Sequence, residues 1–183
     1  MNKVWMNTLA WVAAVMAALT LSFAGPDETS IMGRLPSLIG QRLGRQPVAL
    51  PQGLPADRTL ALIAFHGGHR KDVESWINGL QLRDNPSISW VRMPVLNDPG
   101  NAAGRTALEN HLMARYPSDG DRANLMPVFT DRAAFVRSAG LGSTEQVYAV
   151  VINRQGEVLA RVEGQFDERK AQALRETLQQ RGL

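Results

Sequence analysis

The stretch that most constrains the fold is Leu60-Ala61-Leu62-Ile63-Ala64-Phe65, a continuous apolar run bounded by Asp57-Arg58 and by Gly67-Gly68. A short run with no polar alternation predicts a strand buried on both faces, at the centre of a sheet. From Lys71 the period changes. Val73, Trp76, Ile77 and Leu80 fall at i, i+3, i+4 and i+7, the stripe of an amphipathic helix. Asp72 and Glu74 sit in its first turn, where the helix dipole favours acids, and Asn85-Pro86 prevents continuation past Leu82. Strand, glycine loop and helix in this order point to an α/β domain.

The remaining segments extend that pattern. Residues 33–55 read as an extended, turning segment that closes as a short hairpin, with apolar stops at Leu35, Leu38, Ile39, Leu43, Val48 and Leu50. Ile88 to Leu96 reads as a second strand, with Ile88, Trp90, Arg92 and Pro94 alternating against Val91, Met93 and Val95. After the turn Asn97-Asp98-Pro99-Gly100, a helix is expected over residues 102–116 with Leu108, Leu112 and Met113 inward. Pro117 to Asp121 reads as a break, and Leu125 to Phe129 as a short strand that Pro127 confines to an edge or a bulge. A short helix follows over Asp131 to Ala139. The runs Val147 to Ile152 and Glu157 to Glu163 form a hairpin around Asn153-Arg154-Gln155-Gly156, and the C-terminal helix buries Ala171, Leu174 and Leu178.

The chain opens with a targeting segment. Lys3 precedes an apolar run from Leu9 to Phe23 and the small-x-small triplet Ser22-Phe23-Ala24, which is the pattern of a secretory signal peptide over residues 1–24. An uncleaved N-terminal anchor is the alternative, because Val4, Trp5 and Met6 lengthen the apolar stretch toward the span of a membrane helix. Both readings export the rest, to the periplasm or to the periplasmic face of the inner membrane. Residues 25–55 then serve as a lead-in and residues 56–183 as a single domain. With no cysteine, an exported chain must hold itself together by apolar burial, and 44% hydrophobic residues suffice for that. The net charge is only +3, with basic and acidic residues interspersed, which argues against nucleic-acid binding.

The order of elements, with the closing stretch VYAVVINRQGEVLARVEGQFDERKAQALRETL, resembles thioredoxin-like and peroxiredoxin-like proteins. The resemblance implies a three-layer α/β/α sandwich with a central mixed sheet. It also implies a dithiol on the loop after the first central strand, at about Arg70 and Val73, and a proline before the hairpin strand where Glu145-Gln146-Val147 stands instead. Thiol–disulfide exchange and peroxide reduction both need a thiolate, so a chain without cysteine does neither. A narrower resemblance joins LPSLIGQRLGRQPVALPQGL and LALIAFHGGHRKDVESWINGL to the mitochondrial ATP synthase assembly factor family and its bacterial relatives. That resemblance implies a non-redox role in assembling a membrane complex through a protein partner, with no enzyme activity and no cofactor.

One local cluster carries chemistry. His66, His69, Arg70 and Lys71 flank Gly67-Gly68 at the carboxyl end of the central strand, where open α/β sheets place their sites. They are the candidate partner-contact residues. His66 and His69 are also the candidate metal ligands for copper or zinc, although two imidazoles make half a site. His111 reads as a solvated helix residue, Ser75 has no nucleophile-elbow context, and Gly140-Leu141-Gly142-Ser143 lacks the lysine of a phosphate loop. Trp76 and Trp90 read as core.

Overall fold

A computed structural model describes residues 32–42 and 46–180. The targeting segment expected over residues 1–24 and the first part of the lead-in lie outside the described residues.

Seven strands form one mixed sheet in the order β2-β1-β5-β4-β3-β6-β7. The lead-in supplies β1 (Leu38–Gly40) and β2 (Val48–Leu50), an antiparallel hairpin that joins the sheet through β5 (Val128–Phe129). The continuous apolar run is β3 (Arg58–Ala64). It lies between β4 (Trp90–Leu96), to which it is parallel, and β6 (Tyr148–Asn153), to which it is antiparallel. The expected closing hairpin is β6 with β7 (Val158–Glu163).

Because side chains alternate along a strand, β3 feeds two cores. Ala61, Ile63 and Phe65 pack on one face with Val91, Met93, Phe135 and Tyr148. Leu60 and Leu62 pack on the other with Trp76 and Ile77 of α1 (Arg70–Gly79) and with Ala171 and Leu174 of α5 (Glu168–Gln179). Both expected core tryptophans are buried and satisfied: the indole N–H of Trp76 donates to Gly164 O at 2.8 Å and that of Trp90 to Leu82 O at 3.0 Å. No helix among the described residues is long and apolar enough to cross a membrane.

The middle of the chain departs from expectation in three places. The Leu125 to Phe129 segment is not at an edge. The strand is only Val128 and Phe129, with a separate parallel bridge from Leu125 to Arg92, but β5 sits inside the sheet between β4 and β1, while Pro127 precedes it and accepts from the Gln41 N–H at 2.8 Å. The expected break at residues 117–121 contains a short helix, α3 (Asp119–Ala123), which begins where the Ser118 hydroxyl accepts from the Asp121 N–H. On α2 (Ala102–Arg115) only Leu112 is buried, and Met113, expected inward, is 37% exposed because the helix touches the domain along a narrow stripe. The helix α4 (Arg132–Ser138) lies where a short helix was expected and buries Phe135.

Close packing between α1 and the approach to α5 gives a first prediction. A Cβ on Gly79 would lie 2.5 Å from the ring of Phe166, which itself meets Trp76 edge-to-face at 5.3 Å. Gly79→Ala is expected to destabilise by about 1–3 kcal/mol, since overpacking exceeds the gain of roughly 1 kcal/mol in helix propensity. Urea unfolding measures it; a more stable variant would contradict the packing.

Candidate functional site

The turn that joins β3 to α1 is built from its own imidazoles. His66 leaves the strand extended and caps a 3₁₀ turn, Gly67–His69, its Nδ1 accepting from the Gly68 N–H at 3.2 Å. The turn tucks His69 under the sheet edge, where it is 4% exposed. There the Phe65 N–H donates to His69 Nδ1 at 3.2 Å, and His69 Nε2 lies 3.2 Å from Glu145 O. An accepting Nδ1 assigns the proton to Nε2, which donates to the carbonyl, so the neutral ring satisfies both neighbours. Burial first, and then the neighbouring His66, push the His69 pKa below its ordinary value.

Of the four residues expected to meet a partner, His66, Arg70 and Lys71 are exposed and His69 is not. The His66 and His69 rings lie with centroids 3.6 Å apart, tilted by 43°, and both His69 nitrogens are engaged in hydrogen bonds. Among the described residues no group of three or more His, Cys, Asp or Glu side chains is placed to hold a metal.

Beside this turn a cavity of about 320 Å³ opens at the carboxyl ends of β3 and β4, walled by the start of α1, the end of α2 and the start of α4. Phe65, Val73, Pro94 and Leu112 make it apolar. Its charged lining is of one sign: Arg70, Arg92, Arg115 and Arg132, with the imidazoles of His66 and His111, and no carboxylate.

Arg92 is the deepest of these. It stands opposite Leu62 on the sheet face that α1 covers, 4% exposed, and its Nη2 meets Glu74 Oε1 at 2.8 Å. Its guanidinium carbon lies 4.7 Å from the centre of the Tyr116 ring, and Arg70 approaches the same ring at 5.8 Å. The other Glu74 oxygen accepts from Arg83 at 2.8 Å. The Ser118 hydroxyl, followed by the charges of Arg92 and Arg83, depresses the Asp121 pKa. Arg115 Nη2 donates to Gly67 O at 3.3 Å, tying α2 to the imidazole turn.

Sequence reasoning located the turn but missed the cavity. The one available signal was Arg92, a charge in the same alternating row as Trp90 on an otherwise apolar strand. His111, read as a solvated residue, is exposed and also lines the cavity.

No family model matches the sequence. No curated protein matches it either. Solved structures do. BsSco, a member of the Sco family of cytochrome c oxidase assembly proteins, is similar at a TM-score of 0.53 and 14% identity, over 80% of this chain and 94% of that one. An Arabidopsis thaliana Sco protein with copper bound gives 0.53 at 10% identity, over 81% and 99%. The exposed lipoprotein thioredoxin of Streptococcus pneumoniae gives 0.50 at 12% identity, over 77% and 99%. The fold is thioredoxin-like. The mixed sheet with helices packed on it is therefore the expected α/β architecture, and in this chain the imidazole turn follows the central strand of a thioredoxin-like domain that has no thiol.

Proposed function

We propose that this thioredoxin-like chain is a non-catalytic, exported binding module that acts through protein contacts in the assembly of a membrane complex. The observation that carries the reading is the construction of the turn after β3. His69 locks it from inside, so His66, Arg70 and Lys71 are held outward on a preformed edge where the resemblance would put a dithiol. A rigid contact surface loses little conformational entropy on binding. The leader pattern over residues 1–24 supports export, and the resemblance of residues 35–80 to the ATP synthase assembly factor family supports the assembly role. BsSco, similar in fold, belongs to a family of cytochrome c oxidase assembly proteins. A metal-carrying role would find in this turn only the Nε2 of His66, since its Nδ1 accepts from the Gly68 N–H and both His69 nitrogens are engaged.

The test is an affinity pull-down of the tagged full-length protein from detergent-solubilised membranes, read by mass spectrometry beside Arg70→Ala/Lys71→Ala. ATP synthase membrane subunits are expected with the native protein, and their recovery should fall about tenfold in the variant, as for loss of charged groups at an interface centre. Equal recovery by both, or no such subunits with either, overturns the reading.

A further inference from the structure

We propose that the cavity between β3, β4 and α2 is a binding site for a small organic anion, a carboxylate or phosphate group on an apolar body. The inference rests on the reading of this edge as the working face, and it holds whether or not a protein also docks on the rim.

Three independent observations converge on it. The first is charge. Four arginines line one small cavity with no carboxylate among them, in a chain whose net charge is only +3. Among the described residues Arg70, Arg115 and Arg132 take part in no ion pair, as is also true of five arginines outside the cavity, whereas Arg92 and six others do. Of the four only Arg92 has a counter-charge, Glu74, so the other guanidinium groups repel one another around the cavity, and an anion among them removes that cost.

The second is an unsatisfied donor. Arg92 is buried, Glu74 takes one of its terminal nitrogens, and its Nε is buried with no hydrogen-bond partner among the described residues. The Nε of Arg132, on the α4 wall, is in the same condition. Buried donors without acceptors are rare in folded proteins because each costs free energy. Both atoms are covered in the free protein, as is the Nε of Arg42 outside the cavity, so a ligand oxygen would reach them only with a small shift of the guanidinium groups.

The third is shape. The walls Phe65, Val73, Pro94 and Leu112 and the face of Tyr116 offer nothing to a hydrated inorganic ion but suit a ring or short alkyl chain. A volume of about 320 Å³ lies at the low end of small-molecule pockets, enough for one ring and its charged head. Charge at the back and rim with apolar sides selects for a ligand that has both.

The experiment is calorimetric titration of the exported chain at low salt with phenyl phosphate, beside inorganic phosphate, benzyl alcohol and benzylamine. Saturable one-to-one binding of phenyl phosphate is expected, at least about tenfold tighter than either inorganic phosphate or benzyl alcohol and weakened by added salt, with none of benzylamine. Arg70→Gln/Arg115→Gln should weaken it about tenfold or more in a protein that keeps its fold by circular dichroism, since Arg70 is exposed and Arg115 gives up only its hydrogen bond to Gly67 O. Arg92→Met should abolish it in a protein that still folds. Absence of saturable binding, equal binding of benzyl alcohol, or unchanged affinity in Arg70→Gln/Arg115→Gln each overturns the proposal. If binding is absent while the Arg70→Ala/Lys71→Ala variant still loses membrane subunits in the pull-down, the anion site falls and the contact surface stands.

Discussion

His69→Ala is expected to lower the stability of the domain by about 3 kcal/mol, because it strips the partner from a buried backbone N–H and from a half-buried carbonyl at once. The Phe65 N–H loses its acceptor at the end of β3, and Glu145 O loses its donor in the segment leading to β6. The orphaned Phe65 N–H costs about 1–3 kcal/mol, the Glu145 carbonyl less because water can reach it, and the space left by the ring adds to that. Urea unfolding should show a lower midpoint at unchanged slope, and the Phe65 amide should lose protection against hydrogen exchange. A loss below about 1 kcal/mol would mean that His69 does not hold the turn.

The same residue sets a pH dependence with a definite sign. The fold prefers neutral His69, so its pKa is lower folded than unfolded. The unfolded chain therefore binds the extra proton first as pH falls. The contribution is complete above the ordinary histidine pKa of about 6.5 and is lost progressively as pH drops from there toward the folded value. His66, Asp72 and Glu145 face this ring, the first disfavouring its protonation and the other two favouring it. The difference between wild type and His69→Ala should consequently shrink on acidification through that window. A difference that grew instead would show a charged ring in the folded protein.

The same cluster shows how far one-dimensional reasoning reaches. β3, α1 and the closing hairpin were legible because each declares its own period: Leu60 to Phe65 unbroken, Val73 to Leu80 on one helical stripe, and Val147 to Ile152 against Glu157 to Glu163. β5 was misplaced because a two-residue strand after Pro127 has no period, and its interior position comes from partners on β1 and β4. His66 and His69 look alike in the sequence. A 3₁₀ turn separates their fates, and that turn depends on an acceptor at Glu145, 76 residues away. The cavity was invisible for a similar reason, since Arg70, Arg92, Arg115 and Arg132 come from four elements that no local spacing connects.

Arg92 also supplies the second large effect, in which removing one member of an ion pair should do more harm than removing the other. Glu74→Ala leaves a guanidinium that is 4% exposed without its 2.8 Å counter-charge. Uncompensated buried charges cost about 3–5 kcal/mol, and because Glu74 itself is 27% exposed and Asp121 lies near, the lower end, about 2–3 kcal/mol, is expected. The same substitution also breaks the ion pair between Glu74 and Arg83, which is at the surface and adds little. Arg92→Met removes the charge and keeps much of the volume beside Tyr116, so it should be within about 1 kcal/mol of wild type. In the double variant Glu74→Ala/Arg92→Met most of the Glu74→Ala cost should disappear, a coupling that a double-mutant cycle reads directly. A phenyl phosphate that occupies the cavity would supply the missing negative charge, so it should raise the melting temperature of Glu74→Ala by more than that of wild type and leave Arg92→Met unmoved. If Arg92→Met proves as unstable as Glu74→Ala, the arginine is there for the fold. If it is stable and deaf to the anion, a buried charge that contributes little to stability has been kept for the ligand.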